Sequence, residues 1–403
     1  MQSITEDRPK LWTNPTFFTL FSSAMFVAFG QQIYNLALPL LVYDLTQSSQ
    51  MMGWMRATEF LPNLLLALFI GVWVDRFEKK HWSQAMLAGQ IVTIMVSYAA
   101  VSWLSQPLWL LFPCAFLMTA FNYGYSNARM AILKLALPQS QQNIATARMS
   151  SLYSLMETVG PVLSGALLLF SQLHQAFLLL ALIWLLAFWQ LNRLDIASVK
   201  AEQTASLRHA LAEGWRVFIQ DRRMVLITLA VMVINTTDSV FWIQAIFFAK
   251  DRLALSAIEV GYMVAASGVG GVIAAFIADK IRRRFGLGLL LIASIALSAL
   301  CFAGPVLWPS AIGLMATFFL LSLVGLFSNI CIWSYRQEAF SQQHLGRIAG
   351  ITGSLFKLLM PIGLATSGYW VARYGIGPVF YGCLAVQLGV AVLLLMSRVR
   401  SIK

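Results

Sequence analysis

The chain has 403 residues, 59% of them hydrophobic and only 11% charged, with a formal net charge of +12. A soluble domain carries about 25% charged residues, so this chain lacks the charge to coat a water-facing surface. Its apolar residues fall in runs of roughly 20, the length that crosses a bilayer core as a helix. The shorter alternating segments of a membrane β-barrel are absent. The basic residues sit in alternate short loops, as the positive-inside rule requires, which argues against nucleic acid as their partner.

Taken in chain order, the apolar runs predict about twelve helical spans, at 15–44, 51–74, 83–104, 107–133, 147–171, 173–194, 224–249, 256–278, 287–306, 309–334, 347–371 and 375–397. The polar start, Met1 to Lys10, and the length of the first run predict no cleavable leader. Arg and Lys concentrate in the loops on the side of the termini, while the other loops hold Lys250, Arg252 and Arg373. Both termini are therefore expected in the cytoplasm, with the protein in a bacterial-type inner membrane and its basic turns against an anionic inner leaflet. Cys114, Cys301, Cys331 and Cys383 fall in apolar runs without metal-site spacing, so neither a disulfide framework nor a metal is expected.

The segment from Asp195 to Arg223 is the one sizeable polar insert. Leu207, Leu211, Trp215 and Phe218 recur in it at helical spacing between Arg208, Glu213 and Arg216, which predicts an amphipathic helix on the inner membrane surface. The organisation read from this is a six-helix bundle over 1–194, a linker over 195–223 and a second six-helix bundle over 224–403. The halves read as repeats. Gly71-Val-Trp-Val-Asp75-Arg76-Phe-Glu-Lys79-Lys80 has a weaker copy in Ala275-Phe-Ile-Ala-Asp279-Lys280-Ile-Arg282-Arg283-Arg284. Gly160-Pro161 with Gly165 is matched by Met360-Pro361 with Gly368. Repeats of this kind place a substrate path at their interface.

Gly71 permits close helix approach, Asp75 can face the positive end of another helix, and Arg76, Lys79 and Lys80 anchor the turn to lipid headgroups. The stretch resembles motif A of the major facilitator superfamily, with Glu78 where a Gly is usual. The resemblance implies that Asp75 braces one face of the outward-open state against the eleventh span and an arginine near the end of the fourth, for which Arg129 is the candidate. It implies the same switching role for Asp279, Lys280 and Arg283 in the copy. Gly160-Pro161-Val-Leu-Ser-Gly165 resembles motif C of the antiporter branch, although Met156 replaces its upstream Gly. Asn127-Ala-Arg129 with Pro138, and Leu345-Gly346-Arg347-Ile-Ala-Gly350, look like the drug:proton antiporter-3 group, which includes macrolide efflux proteins and enterobactin-type siderophore exporters. The implied fold is all-α, two pseudo-symmetric six-helix bundles, and a monomer is expected.

Ionisable groups inside spans cost about 2.5–3.5 kcal/mol at mid-helix, so each is a functional candidate. Glu157 and Lys357 occupy matching places, four residues before the two prolines, and Asp238 lies near the middle of the seventh span. Either Glu157 or Asp238 carries a proton in exchange for substrate, or Glu157 and Lys357 form a fixed ion pair between the halves. Asp44, Arg56 and Glu59 lie toward the outer side, as an i,i+3 ion pair near the surface or as an outer gate. Gln31, Tyr34, Asn35, Asn122, Tyr123, Asn235 and Trp242 put polar groups into apolar spans, as cavity lining or as bonds between helices. The fourth span lacks the mid-depth arginine of many proton antiporters.

The function expected is export of an amphipathic small molecule, drug-like or a siderophore, in exchange for protons; proton-coupled uptake of a small organic solute, anionic solutes included, is the alternative. Lys357 and Arg56 favour an anionic or zwitterionic substrate. An enzyme is not expected, since no nucleophile–base pair, zinc-protease motif or P-loop is present, and no cofactor is implied.

Overall fold

A computed structural model describes residues 11–66, 77–168, 173–194 and 207–402. Gly71, Asp75 and Arg76 lie outside these residues, and of Glu157, Pro161, Gly165 and Asp279 only the backbone is described. The helices are α1 (Pro15–Thr46), α2 (Ser49–Leu65), α3 (Lys79–Trp103), α4 (Leu108–Ala136), α5 (Gln139–Leu168), α6 (Ala176–Asn192), α7 (Leu207–Gln220), α8 (Arg222–Asp251), α9 (Ala257–Phe285), α10 (Leu287–Cys301), α11 (Ala311–Ala339), α12 (Gln342–Leu355), α13 (Met360–Tyr374) and α14 (Ile376–Met396). Among the described residues, nine helical stretches are long and apolar enough to cross a membrane, and α6 is a shorter apolar helix.

Short polar side chains start these helices. Asn14 Oδ1 accepts from the amides of Thr16 and Phe17, with Pro15 at the first helical position. Asp221, Ser48 and Ser310 cap α8, α2 and α11 in the same way, and Ser256 with Glu259 forms a reciprocal capping box on α9. At the end carrying the termini, several helices run past the apolar stretches. Helix α3 begins at Lys79, α5 at Gln139, and α9 continues to Phe285. Hydropathy marks only the part of a helix that faces lipid, whereas backbone hydrogen bonding continues into water.

Each half pairs its helices by one scheme. In the first, α1 packs on α6, α2 on α4, and α3 on both α4 and α6. In the second, α8 packs on α14, α9 on α11, and α10 on both α11 and α14. The halves meet mainly through α2 against α13 and α5 against α9.

The eleventh span is not one helix, as its apolar run predicts, but two, α12 and α13, separated at residues 356–359. Pro361 has no N–H to offer Lys357 O. The Met360 amide turns to that carbonyl instead, at 3.2 Å, which leaves Phe356 O without its usual helical donor. Asn235 Nδ2, from α8, donates to Phe356 O at 3.2 Å. Asn235 thus bonds between helices, one of the two readings its sequence position allowed, and Lys357 lies exposed within the break.

The predicted amphipathic helix is present as α7, and it docks on protein. Arg347 Nη1 donates to Glu213 at 2.5 Å, and His344 Nε2 meets the other carboxylate oxygen at 3.1 Å. Gly214 lets α7 approach the Arg347 side chain, and Phe218 is buried. The hydrogen bond with His344, and the Arg347 guanidinium beside it, hold the Glu213 carboxyl below the usual glutamate range. A depressed carboxyl pKa stabilises the docked form above the ordinary glutamate range, and that contribution is lost as the pH falls through the depressed value.

Two outcomes are expected. Glu213→Gln raises hydrogen exchange across Leu207–Gln220 while leaving that of α8 unchanged. Asn235→Leu lowers stability by up to about 1 kcal/mol, the cost of stranding a half-buried carbonyl, and Pro361→Ala in the same chain recovers most of it by letting the helix close. Thermal unfolding in detergent reads both single and double variants.

Candidate functional site

At the end opposite the termini, small residues let the two halves touch backbone to backbone. A Cβ at Gly368 would collide with the Gln50 Cα, and one at Gly53 would lie 2.5 Å from Leu364 O. Ser49 Oγ donates to Gly368 O at 3.3 Å, and Trp54 Nε1 donates to Ala365 O at 3.2 Å. Beside this seam, Lys250 Nζ lies 3.5 Å from Asp44 Oδ1 and over the Tyr43 ring, which meets the Phe247 ring edge-on at 5.8 Å. The apolar core follows the same division. One cluster joins residues of both halves near this end, including Val42, Met52, Phe247 and Leu364. A second cluster, with Ile234, Ile295, Phe327 and Ile348, joins the second half to Phe218 of α7 and lies toward the termini.

Beneath the seam is a cavity of about 340 Å³, lined by Gln32, Asn35, Arg56, Asp238 and Trp242, with Leu36, Ser239, Val264 and Ser267. It draws on α1, α2, α8 and α9, hence on both halves. The Asp238 carboxylate is exposed to it. Arg56 Nη1 donates to Glu59 Oε2 at 2.9 Å, and its guanidinium lies over the rings of Phe60 and Trp242, at 5.2 and 5.7 Å. Glu59 is 5% exposed. Arg56 and Glu59 are thus the i,i+3 pair that their spacing allows, with Glu59 buried and Arg56 half-buried in the cavity lining. A buried acid beside a guanidinium holds its charge only while that partner stays. Arg56 is therefore committed to Glu59, and among the described lining residues no second cation accompanies Asp238.

The other predicted residues disperse around this centre. Gln31 Nε2 donates to Asn35 Oδ1 at 3.1 Å, and Tyr34 is buried in the α1 core. Gly160 brings α5 against the Gln32 side chain, where a Cβ would collide. Asn122 and Tyr123 are half-buried on α4 and do not line the cavity; Asn127 Nδ2 donates to Tyr123 O at 2.8 Å. Lys79 and Lys80 open α3, with Lys79 Nζ donating to Phe77 O at 3.3 Å. Lys280 and Arg283 are exposed near the end of α9.

Arg129 is 5% exposed and stacks over Tyr153 at 4.4 Å and Tyr125 at 5.7 Å, and its Nε and Nη1 meet no acceptor among the described residues. Its counterpart on α11 is Arg336, which the residue pattern alone does not single out. Arg336 is 3% exposed, lies over Trp333 at 4.1 Å, and its Nη1 donates to Thr352 Oγ1 at 2.9 Å. The repeat offset linking Asp75 to Asp279 falls three residues short of Arg336 when applied to Arg129, and that near-coincidence is the signal that could have found it. Lys250, which pairs with Asp44, and Ser49 have no motif to mark them.

With twelve predicted spans, one pairing scheme in both halves and a polar cavity between them, the architecture is that of a two-bundle membrane transporter. The model of the Major Facilitator Superfamily matches residues 20–364, and the chain belongs to that family. It is similar to macrolide efflux protein A of Streptococcus pyogenes, 23% identical over 396 residues that cover 89% of this chain and 90% of the relative. It is also similar to the staphyloferrin A transporter of Staphylococcus aureus, 21% identical over 320 residues and 77% of each chain. Among solved structures, a bacterial homologue of the iron transporter ferroportin in an inward-facing state matches with a TM-score of 0.72 at 14% identity, over 94% of this chain and 98% of that one. The nucleoside transporter NupG matches with a TM-score of 0.73 at 13% identity and the same coverage. These likenesses give the major facilitator fold. The chain is a membrane transporter and not an enzyme.

Gly368→Val is expected to wedge the seam open. Spin labels at Leu45 and Arg252, on either side of it, then report a longer distance than in the unsubstituted chain, while Gly377→Val, where nothing lies within contact of a Cβ, leaves that distance unchanged.

Proposed function

We propose that the chain exports an amphipathic organic compound by alternating access, in exchange for protons, with Asp238 as the group for which substrate and proton compete. One observation carries the reading: Asp238 opens into a cavity shared by both halves, and the guanidinium in that cavity is already committed to Glu59. A carboxylate that no cation balances, with only the Gln387 amide beside it, favours neutralisation, either by a proton or by a cationic group of the solute. If only one occupies it at a time, loading the proton releases the solute, and the exchange follows. Trp242, with Gln32 and Asn35, offers an aromatic face and amide groups suited to a bulky amphipathic body.

The names of the relatives support export of a drug-like molecule, since macrolide efflux protein A matches over most of both chains. In this reading the termini face the cytoplasm, which the distribution of Arg and Lys supports. The closed seam is then the outer gate, with Asp44 and Lys250 in it, and the Asp75 and Asp279 turns, braced through Arg129 and Arg336, govern closure of the inner face. Glu157 remains a second proton-carrying candidate through its place near mid-span, and Gly160 and Pro161 belong to the helix that must bend. An acidic solute such as a siderophore is the second reading. The observation for it is Lys357, exposed in the break of the eleventh span, and the staphyloferrin A transporter is the relative that fits it.

Purified protein in proteoliposomes, given a cationic amphipathic dye and an imposed pH gradient, is expected to move the dye only while the gradient lasts. Asp238→Asn, which mimics the protonated acid, abolishes gradient-driven movement and weakens binding of the cationic dye. Gradient-driven flux at an undiminished rate in Asp238→Asn would remove this residue from the mechanism.

A further inference from the structure

The basic end of α9 takes no part in the central cavity. Phe276, Lys280, Arg283 and Arg284 follow one another on one helical face and line a cavity of about 550 Å³. A second cavity, of about 860 Å³, shares Arg283 and Arg284 and adds Arg282, Glu338 and Arg400. Arg400 comes from the C-terminal turn, which is held in place against the start of α10. The Gly288 amide donates to Ile402 O at 2.9 Å, and Gly288 lacks the Cβ that would strike Val399 O. Among the described residues, Glu338 is the carboxylate lining the larger cavity, and Arg282 takes it.

The positive-inside rule explains basic residues in a short turn. It does not explain a second segment docked so as to add a further guanidinium to the same cavity. Fixed like charges repel, and an anion between them removes the repulsion. Guanidinium groups match phosphate oxygens with paired N–H donors. The apolar surroundings point to what carries that phosphate. Phe276 is 84% exposed, and Phe285 and Leu289 are exposed as well. Phe276 lies about 10 Å along the helix from Arg283, at 1.5 Å rise per residue, so a ligand touching both has an anionic head and an apolar body.

We propose that the α9–α10 turn and the C-terminal turn form a binding site for an anionic phospholipid. Its phosphate sits between Arg283, Arg284 and Arg400, and its acyl chains run along Phe276 and Phe285. Because the two cavities share Arg283 and Arg284, a lipid with two phosphates fills both and binds more tightly than one with a single phosphate. The site depends on the membrane setting alone and not on the direction of transport or on Asp238.

The test uses the full chain in detergent and in nanodiscs. Native mass spectrometry and thermal unfolding are read with cardiolipin, phosphatidylglycerol, phosphatidylcholine, or inorganic phosphate alone. Cardiolipin is expected to bind most tightly, phosphatidylglycerol next, and phosphatidylcholine least. In R283Q/R284Q/R400Q, cardiolipin affinity falls by at least about tenfold, since removing one charge-assisted hydrogen bond weakens binding by about a decade. R373Q, at the other end of the molecule, leaves it unchanged. Equal stabilisation by inorganic phosphate alone would overturn the lipid assignment, as would unchanged cardiolipin affinity in the triple variant. Should that variant fail to fold, a photoactivatable cardiolipin on the unsubstituted chain decides: crosslinks within 276–289 and 398–402 uphold the site, and crosslinks elsewhere overturn it.

Discussion

The structure depends on a close approach of two backbones. Gly53 and Gly368 bring α2 and α13 together at the end away from the termini, where any side chain would strike main chain. Within a bilayer the hydrophobic effect does little to join helices, and small residues that allow dense packing and hydrogen bonds to carbonyls take its place. Ser49 and Trp54 supply those hydrogen bonds. The Asp44–Lys250 pair and the Tyr43–Phe247 contact extend the closure to α1 and α8. A joint made of small residues and a few polar contacts is strong enough to close one end. In the proposed alternating access, such a joint would be exchanged for another at the opposite end.

The polar centre follows from that closure. With the halves held together above it, the cavity takes Asp238 and Trp242 from α8 and Arg56 from α2. Its electrostatics are set by which groups are already paired. Arg56 answers Glu59, so the guanidinium balances a carboxylate behind the cavity, and no second cation is among the described residues lining it with Asp238. The break at residues 356–359 sits on the partner of the seam, between the half of the eleventh span that packs on α2 and the half that carries α7. A proline that shifts one hydrogen bond, and an asparagine on α8 that caps the carbonyl this frees, give the span a fixed joint where a continuous helix would be stiff.

Much of the fold was legible in the residue pattern because lipid imposes a simple rule: a spanning helix must be apolar for about 20 residues. The repeat was legible because Asp75 and Asp279, and Pro161 and Pro361, recur at similar offsets. What hydropathy could not show was the break, since Phe356, Leu358 and Leu359 are as apolar as a continuous span would need. Charge gave a partial view of the site. Asp238 and Arg56 stood out as ionisable groups in apolar surroundings, and the structure brings them to one cavity. Lys250 did not stand out, because at the end of its span it reads as an ordinary surface cation, and only the fold sets it beside Asp44. Ser49 and Gly368 escaped for a related reason: small residues are common in membrane helices, and which of them faces another helix is a tertiary fact. Asn122 and Tyr123 show the converse, since polar groups in an apolar span need not line the cavity.

The central claim is that the seam must open for transport. Paired cysteines at Asp44→Cys and Lys250→Cys, bridged by a short bifunctional thiol reagent with a cleavable disulfide, hold α1 and α8 together without touching the cavity. The account predicts that bridging stops gradient-driven flux in proteoliposomes and that a reductant restores it. Flux by the bridged protein at the rate of the unbridged one would contradict it.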